Sequence, residues 1–169
     1  MSSTRIDRLV NKVQAAFDRR PTEIEPGLDV EDAALLQLRK GCRLLAGANA
    51  LRDAEYYTLL IEASFVAIER TVEFQLLERG TMDPNDLPGT HPGVYQEAAA
   101  IGLFSESVSE ELADLWQDHW AKAYYQDGHA AADRAKAMYE LASEIHEFVV
   151  SRSDKSRNVF ATLAVEIHS

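Results

Sequence analysis

The stretch LADLWQDHWAKAYYQDGHAAADRAKAMYELASEIHEFVV, residues 112–150, decides the fold class. It reads as two amphipathic helices joined by the polar turn YYQDGH. Leu112, Leu115, Trp116, His119 and Ala123 recur at helical spacing and share one face, which places His119 in line with the apolar stripe. The same periodicity extends outward in both directions, and no run alternates as a strand does. The expected fold is all-α, an up-and-down helical bundle of five to six helices.

The first helix is expected over Thr4 to Arg19, with Ile6, Leu9, Val10, Val13 and Phe17 on one stripe and Pro21 and Pro26 ending it. Asp29 is the expected cap of the second helix, with Asp32 at the capping-box position. Leu35, Leu38, Cys42 and Leu45 are its expected buried face, and a turn is expected near 49–53. The third helix is expected over Ala54 to Arg79. Its apolar residues step by three and four and widen around Leu60, Val66 and Leu77, so it should be central, with Gly80 closing it. After the proline-rich break at 81–92, a short helix is expected over Gly93 to Gly102. Ser105 or Ser107 should cap a fifth over Val108 to Tyr125, and a sixth should run from His129 to Ser151.

The chain has 169 residues, 46% hydrophobic and 27% charged. That supports one domain with its own core: an N-terminal helix over 1–20, a core over 30–151 and a tail over 152–169. No uncharged apolar run approaches the ~20 residues that span a bilayer. Charges in MSSTRIDRLVNKV stand where a signal peptide needs its apolar segment, so the expected location is the cytoplasm. A single cysteine, Cys42, excludes an intramolecular disulfide and a cysteine zinc cage. It is expected to be a small buried residue. The net charge is −11 and only five of 17 basic residues are lysine. An acidic, lysine-poor surface suits a high-salt habitat, where self-repulsion is screened.

Three groupings bear on chemistry. At the polar junction, Asp118, His119, Lys122, Tyr124, Tyr125, Asp127 and His129 gather a titratable imidazole, a lysine and carboxylates, the side chains of acid–base work. Asp118 and Lys122 are four apart and should pair on the surface. On the third and sixth helices, Glu62, Glu69, Glu73, Glu140, Glu144, His146 and Glu147 could line a bundle metal site, but no acid stands three residues before any histidine. Solvated helix faces are the expectation, with no metal. There is no glycine-rich phosphate loop and no G-x-G-x-x-G after a strand. The cationic clusters are Arg5, Arg8, Lys12, Arg19 and Arg20 at one end and Arg152, Lys155 and Arg157 at the other.

Three segments in this order resemble the HEPN superfamily of small all-helical domains: ALRDAEYYTLLIEASFVAIERTVEFQLLERG at 50–80, HPGVYQEAAAIGLFS at 91–105 and LWQDHWAKAYYQDGHAAADRAKAMYELASEIHEFV at 115–149. The resemblance covers roughly residues 30–150 and rests on helix order and segment character. It implies a homodimer with its site at the dimer cleft and a nucleotidyltransferase as partner. It also implies contact with RNA, a toxin–antitoxin or defence setting, and no cofactor. In ribonuclease members of the superfamily an Arg steadies the phosphate and a His, with four to six residues between, acts as base or acid without a metal.

None of the 12 arginines here is followed by a histidine at that distance. Two placements stand in for the motif. Lys122 and His129 have the right separation, with Tyr124 or Tyr125 assisting, though lysine lacks the guanidinium fork. Alternatively Asp118-His119 takes the Arg-polar place and Tyr124 or Tyr125 the His place. There Asp would repel phosphate, and Tyr is a weak base near neutral pH. The resulting expectation is a dimeric binding or regulatory partner lacking a complete ribonuclease motif, with its helix–helix interface on the wide stripes of the third and fifth helices. The alternatives are a divergent metal-independent endoribonuclease and a helical interaction module with no nucleic-acid role, which the −11 charge favours.

Overall fold

The computed structural model describes residues 3–126 and 129–153. All regular structure among them is helical. The helices are α1 (Ser3–Phe17), α2 (Ala33–Asp53), α3 (Tyr57–Glu78), α4 (His91–Ala100), α5 (Glu106–Asp114), α6 (Lys122–Gln126) and α7 (Ala132–Ser151). A π-helical segment, Leu115–Ala121, joins α5 to α6 in one rod. Counted as rods, the described residues form the expected helical bundle. None of the helices is long and apolar enough to cross a membrane.

The core is built around α3, which packs against α2, α4 and α7. Leu60, Ile61, Phe65, Ile68, Val72, Phe74 and Leu76 are all buried, and each such side chain contributes about 1.5–3 kcal/mol on leaving water. The breadth of this stripe has an intramolecular cause: α2, α4 and α7 cover it from three sides. The stripe expected to supply a dimer interface on the third helix is therefore consumed within the chain.

Local chemistry shifts several boundaries. The cap of α2 is Asp32 rather than Asp29, because its Oδ1 accepts the Leu35 amide at 2.8 Å. The most buried residues of α2 are Ala34, Gln37, Leu38, Gly41 and Ala48, with Leu35, Cys42 and Leu45 only partly covered. The helix continues past Gly47 to Asp53, so the turn falls at 54–56, where Glu55 takes φ 63°. Gly80 closes α3 as expected, at φ 67°. Helix α4 starts at His91, two residues early, since Thr90 Oγ1 accepts the Gly93 amide at 3.3 Å. Of the two serines, Ser105 caps α5 through the Val108 amide at 3.2 Å. The last helix begins at Ala132 rather than His129.

Helix α1 departs most from the expected bundle. Every residue from Thr4 to Phe17 is exposed, including the whole apolar stripe. Ile6, Leu9, Val10, Val13 and Phe17 keep 49–86% of their surface. The amphipathic pattern is present, but its covering surface is not in the described part of this chain. Most of the 152–169 tail, including Lys155 and Arg157, lies outside the described residues.

Candidate functional site

The polar junction folds into a groove between the π-helical segment, α6 and α7. It has a volume of about 560 Å³. Ile61, Phe65, Trp120, Met138 and Leu141 give it an apolar floor, and Asp118, His119, Lys122 and Arg134 stand at its rim. Lys122 Nζ lies 2.6 Å from Asp118 Oδ1, the expected surface pair, with both side chains more than half exposed. Hydrogen bonding to Lys122 and its charge hold the Asp118 carboxyl below the usual range.

The π-helical turn reverses one expectation. A wider turn holds more residues, so the position facing the core slips by one. Trp120 is buried at 8% exposure, and His119 is exposed. His119 therefore leaves the apolar stripe for the groove rim. Trp120 in turn packs on Tyr124, ring centroids 5.4 Å apart, and Tyr124 meets Tyr125 edge-on at the same separation. Tyr124 and Tyr125 are exposed. His129 is exposed and has no hydrogen bond or ion pair among the described residues. Asp127 lies outside them. The structure thus brings Asp118, His119 and Lys122 to one groove and adds Arg134, a residue of the first turn of α7 that the junction pattern did not single out.

A second polar cluster is buried under α4. Glu69 and Glu73 were expected on a solvated face, yet they are 8% and 2% exposed. Their register explains it: Glu69 stands among Phe65, Ile68 and Val72 on the apolar stripe of α3. Arg70 pairs with both, meeting Glu69 directly and Glu73 Oε2 at 2.8 Å. His91 Nδ1 lies 2.6 Å from Glu69 Oε2. Trp116 lies over the imidazole with centroids 4.0 Å apart, and Phe65 abuts both rings. Burial alone would raise the Glu69 carboxyl, but His91 and Arg70 outweigh it and hold it low. For Glu73 burial wins over Arg70, with Glu69 adding repulsion, and its carboxyl is pushed up to about 7. Tyr95 is buried beside them, and burial pushes its phenol up. An acid inside the apolar stripe was the readable signal for this cluster.

His146 was also expected on a solvated face and is buried at 7% exposure. Its Nδ1 lies 2.9 Å from Thr71 Oγ1 and its Nε2 3.3 Å from Cys42 Sγ. Burial pushes the Cys42 thiol up and the imidazole down. Both groups are thereby favoured as neutral, so the contact is a packed hydrogen bond rather than a thiolate–imidazolium pair. Gly41 permits it, since a Cβ there would sit 3.0 Å from Thr71 Oγ1. Glu62, Glu140, Glu144 and Glu147 are exposed, as expected. Among the described residues no group of three His, Cys, Asp or Glu could hold a metal ion.

A family model described as a domain of unknown function, DUF8154, matches residues 1–161. The chain belongs to the DUF8154 family. The matched span includes α1 as well as the packed body. No curated protein and no solved structure gives a significant match. For this DUF8154 chain, the groove and the two buried clusters therefore rest on their own geometry.

Proposed function

We propose that this chain is a HEPN-like binding and regulatory partner in a nucleic-acid-related toxin–antitoxin or defence setting, rather than a competent nuclease. The observation that carries the reading is the pairing at the groove rim. Lys122, the residue in the phosphate-steadying place, is held against the Asp118 carboxylate. A carboxylate there opposes the charge that a transition-state phosphate develops. His129 has no orienting partner among the described residues, which a general base needs. Arg134 still places a guanidinium at the rim, a group that contacts RNA phosphates. A homodimer and a nucleotidyltransferase partner belong to the same proposal.

The test is fluorescence anisotropy of a labelled single-stranded RNA in EDTA across a salt series, with gel analysis of the same samples. The expected outcome is binding that weakens with salt and with Arg134→Glu, and no cleavage. Cleavage that His129→Ala abolishes would establish the divergent ribonuclease instead. No binding even at low salt would leave the helical interaction module, the reading that the exposed stripe of α1 favours.

A further inference from the structure

Among the described residues, the exposed large apolar side chains gather on α1. Ile6, Leu9, Val10, Val13 and Phe17 face solvent together. A stripe of this kind on a soluble chain marks an interaction surface. The charges beside it indicate what covers it. Arg5, Arg8 and Lys12 recur on one flank of the helix, and Asp7 and Asp18 fall on the other. Five basic and two acidic residues give residues 1–20 a charge of +3, so the rest of the chain carries −14. A cationic helix on so acidic a body is attracted to another acidic body, and an anionic membrane would repel that body.

The body also offers a receiving surface. Between α4 and α5 runs a groove of about 560 Å³, with Ala99, Ala100 and Ala113 in its walls and Glu106 and Glu110 on its rim. Small side chains there let a helix approach closely. Ser109 lines this groove at 4% exposure, and its hydroxyl has no partner among the described residues. Glu106 and Glu110 are four residues apart on α5, as Arg8 and Lys12 are on α1. Each pair spans about 6 Å along its helix, so the two cations can face the two anions in register.

We propose that α1 is an exchanged clasp: α1 of one copy lies in the α4–α5 groove of a second copy, and the exchange is reciprocal. Its apolar stripe packs on the alanines, and Arg8 and Lys12 pair with Glu106 and Glu110. A stable interface buries roughly 1,200–2,000 Å² in total, and the reciprocal exchange supplies two contacts toward it. The clasp rests on the homodimer of the reading above but not on its RNA site, since neither α1 nor this groove contributes to the rim at Lys122; loss of the clasp and loss of RNA binding are therefore separate outcomes.

The experiment is light scattering on the full chain at micromolar concentration and low salt, with circular dichroism to verify folding. Wild type is expected to be a dimer. Leu9→Asp/Val13→Asp, on an exposed helix, should give a folded monomer. Arg8→Glu/Lys12→Glu and Glu106→Lys/Glu110→Lys should each weaken dimerisation by about tenfold or more, and mixing these two charge-reversed proteins should restore a heterodimer. A monomeric wild type, a dimer unaffected by the α1 variants, or charge reversals that fail to rescue each other would overturn the clasp. So would a wild-type monomer that binds vesicles of anionic lipid through α1.

Discussion

Glu69 Oε2 and His91 Nδ1 lie 2.6 Å apart across the α3–α4 junction, with the Trp116 ring packed against the imidazole at a 38° tilt. This contact ties the start of α4 to the central helix. Removing the imidazole by His91→Ala should cost about 1–3 kcal/mol, through the lost pair and the lost ring contacts with Trp116 and Phe65. Equilibrium urea denaturation near neutral pH measures it.

The pH dependence of Glu69 has a definite sign. Its folded carboxyl is held below its ordinary 4.5 by His91 and Arg70. It therefore contributes stability that is present above 4.5 and lost as pH falls through the lower folded value. Glu69→Gln should be most destabilising at neutral pH and approach wild type in acid. A penalty of equal size at every pH would contradict this.

Glu73 behaves in the opposite sense. Burial raises its folded carboxyl to about 7 against 4.5. The folded state binds the extra proton between those values, so this stabilisation is present below 4.5 and is lost as pH rises through 7. Glu73→Gln, a permanent neutral mimic, should gain on wild type between pH 5 and pH 8 by on the order of 2–3 kcal/mol. Paired urea titrations at the two pH values decide it, and a gap that does not widen with pH rejects the assignment.

Two glycines of α2 should respond in opposite directions to alanine. A Cβ at Gly41 would crowd Thr71 Oγ1 at 3.0 Å. Gly41→Ala should cost about 1–3 kcal/mol through the displaced Thr71–His146 contact. Nothing lies within 4 Å of a Cβ at Gly47. Gly47→Ala should stabilise by about 0.5–1 kcal/mol through helix propensity. Thermal melts of the two variants give the comparison.

The π-helical register predicts which of two adjacent residues matters. Trp120→Ala should cost about 3 kcal/mol, as a buried aromatic. His119→Ala, on the rim, should stay within about 0.5 kcal/mol. A regular α-helix through this segment would reverse the order. Denaturation midpoints of the pair distinguish the registers.

Much of the fold was legible because it depends on short-range spacing. The apolar steps of α3, the Gly80 stop, the Ser105 cap and the Asp118–Lys122 pair are all set within a turn or two of helix. The boundaries that moved did so through choices between near-equivalent local chemistry, Asp29 against Asp32 being the clearest case. Within the candidate site, the sequence placed Asp118, His119 and Lys122 at one junction. It missed Arg134, which reaches the rim only because α7 folds back against the π-helical segment. It also assigned Glu69, Glu73 and His146 to solvent, since acids and histidines usually lie there.

The sequence by itself determined that the chain is helical, where most helices start and stop, and that α1 is amphipathic. Those properties follow from backbone propensity, capping and a period of 3.6 residues. Only the tertiary structure decided which faces find a partner. It buried Glu69 and Glu73 around Arg70 and turned Trp120 inward in place of His119. It also left the apolar face of α1 uncovered. The physical reason is that burial belongs to pairs of surfaces, and a single helix read alone carries only one of them.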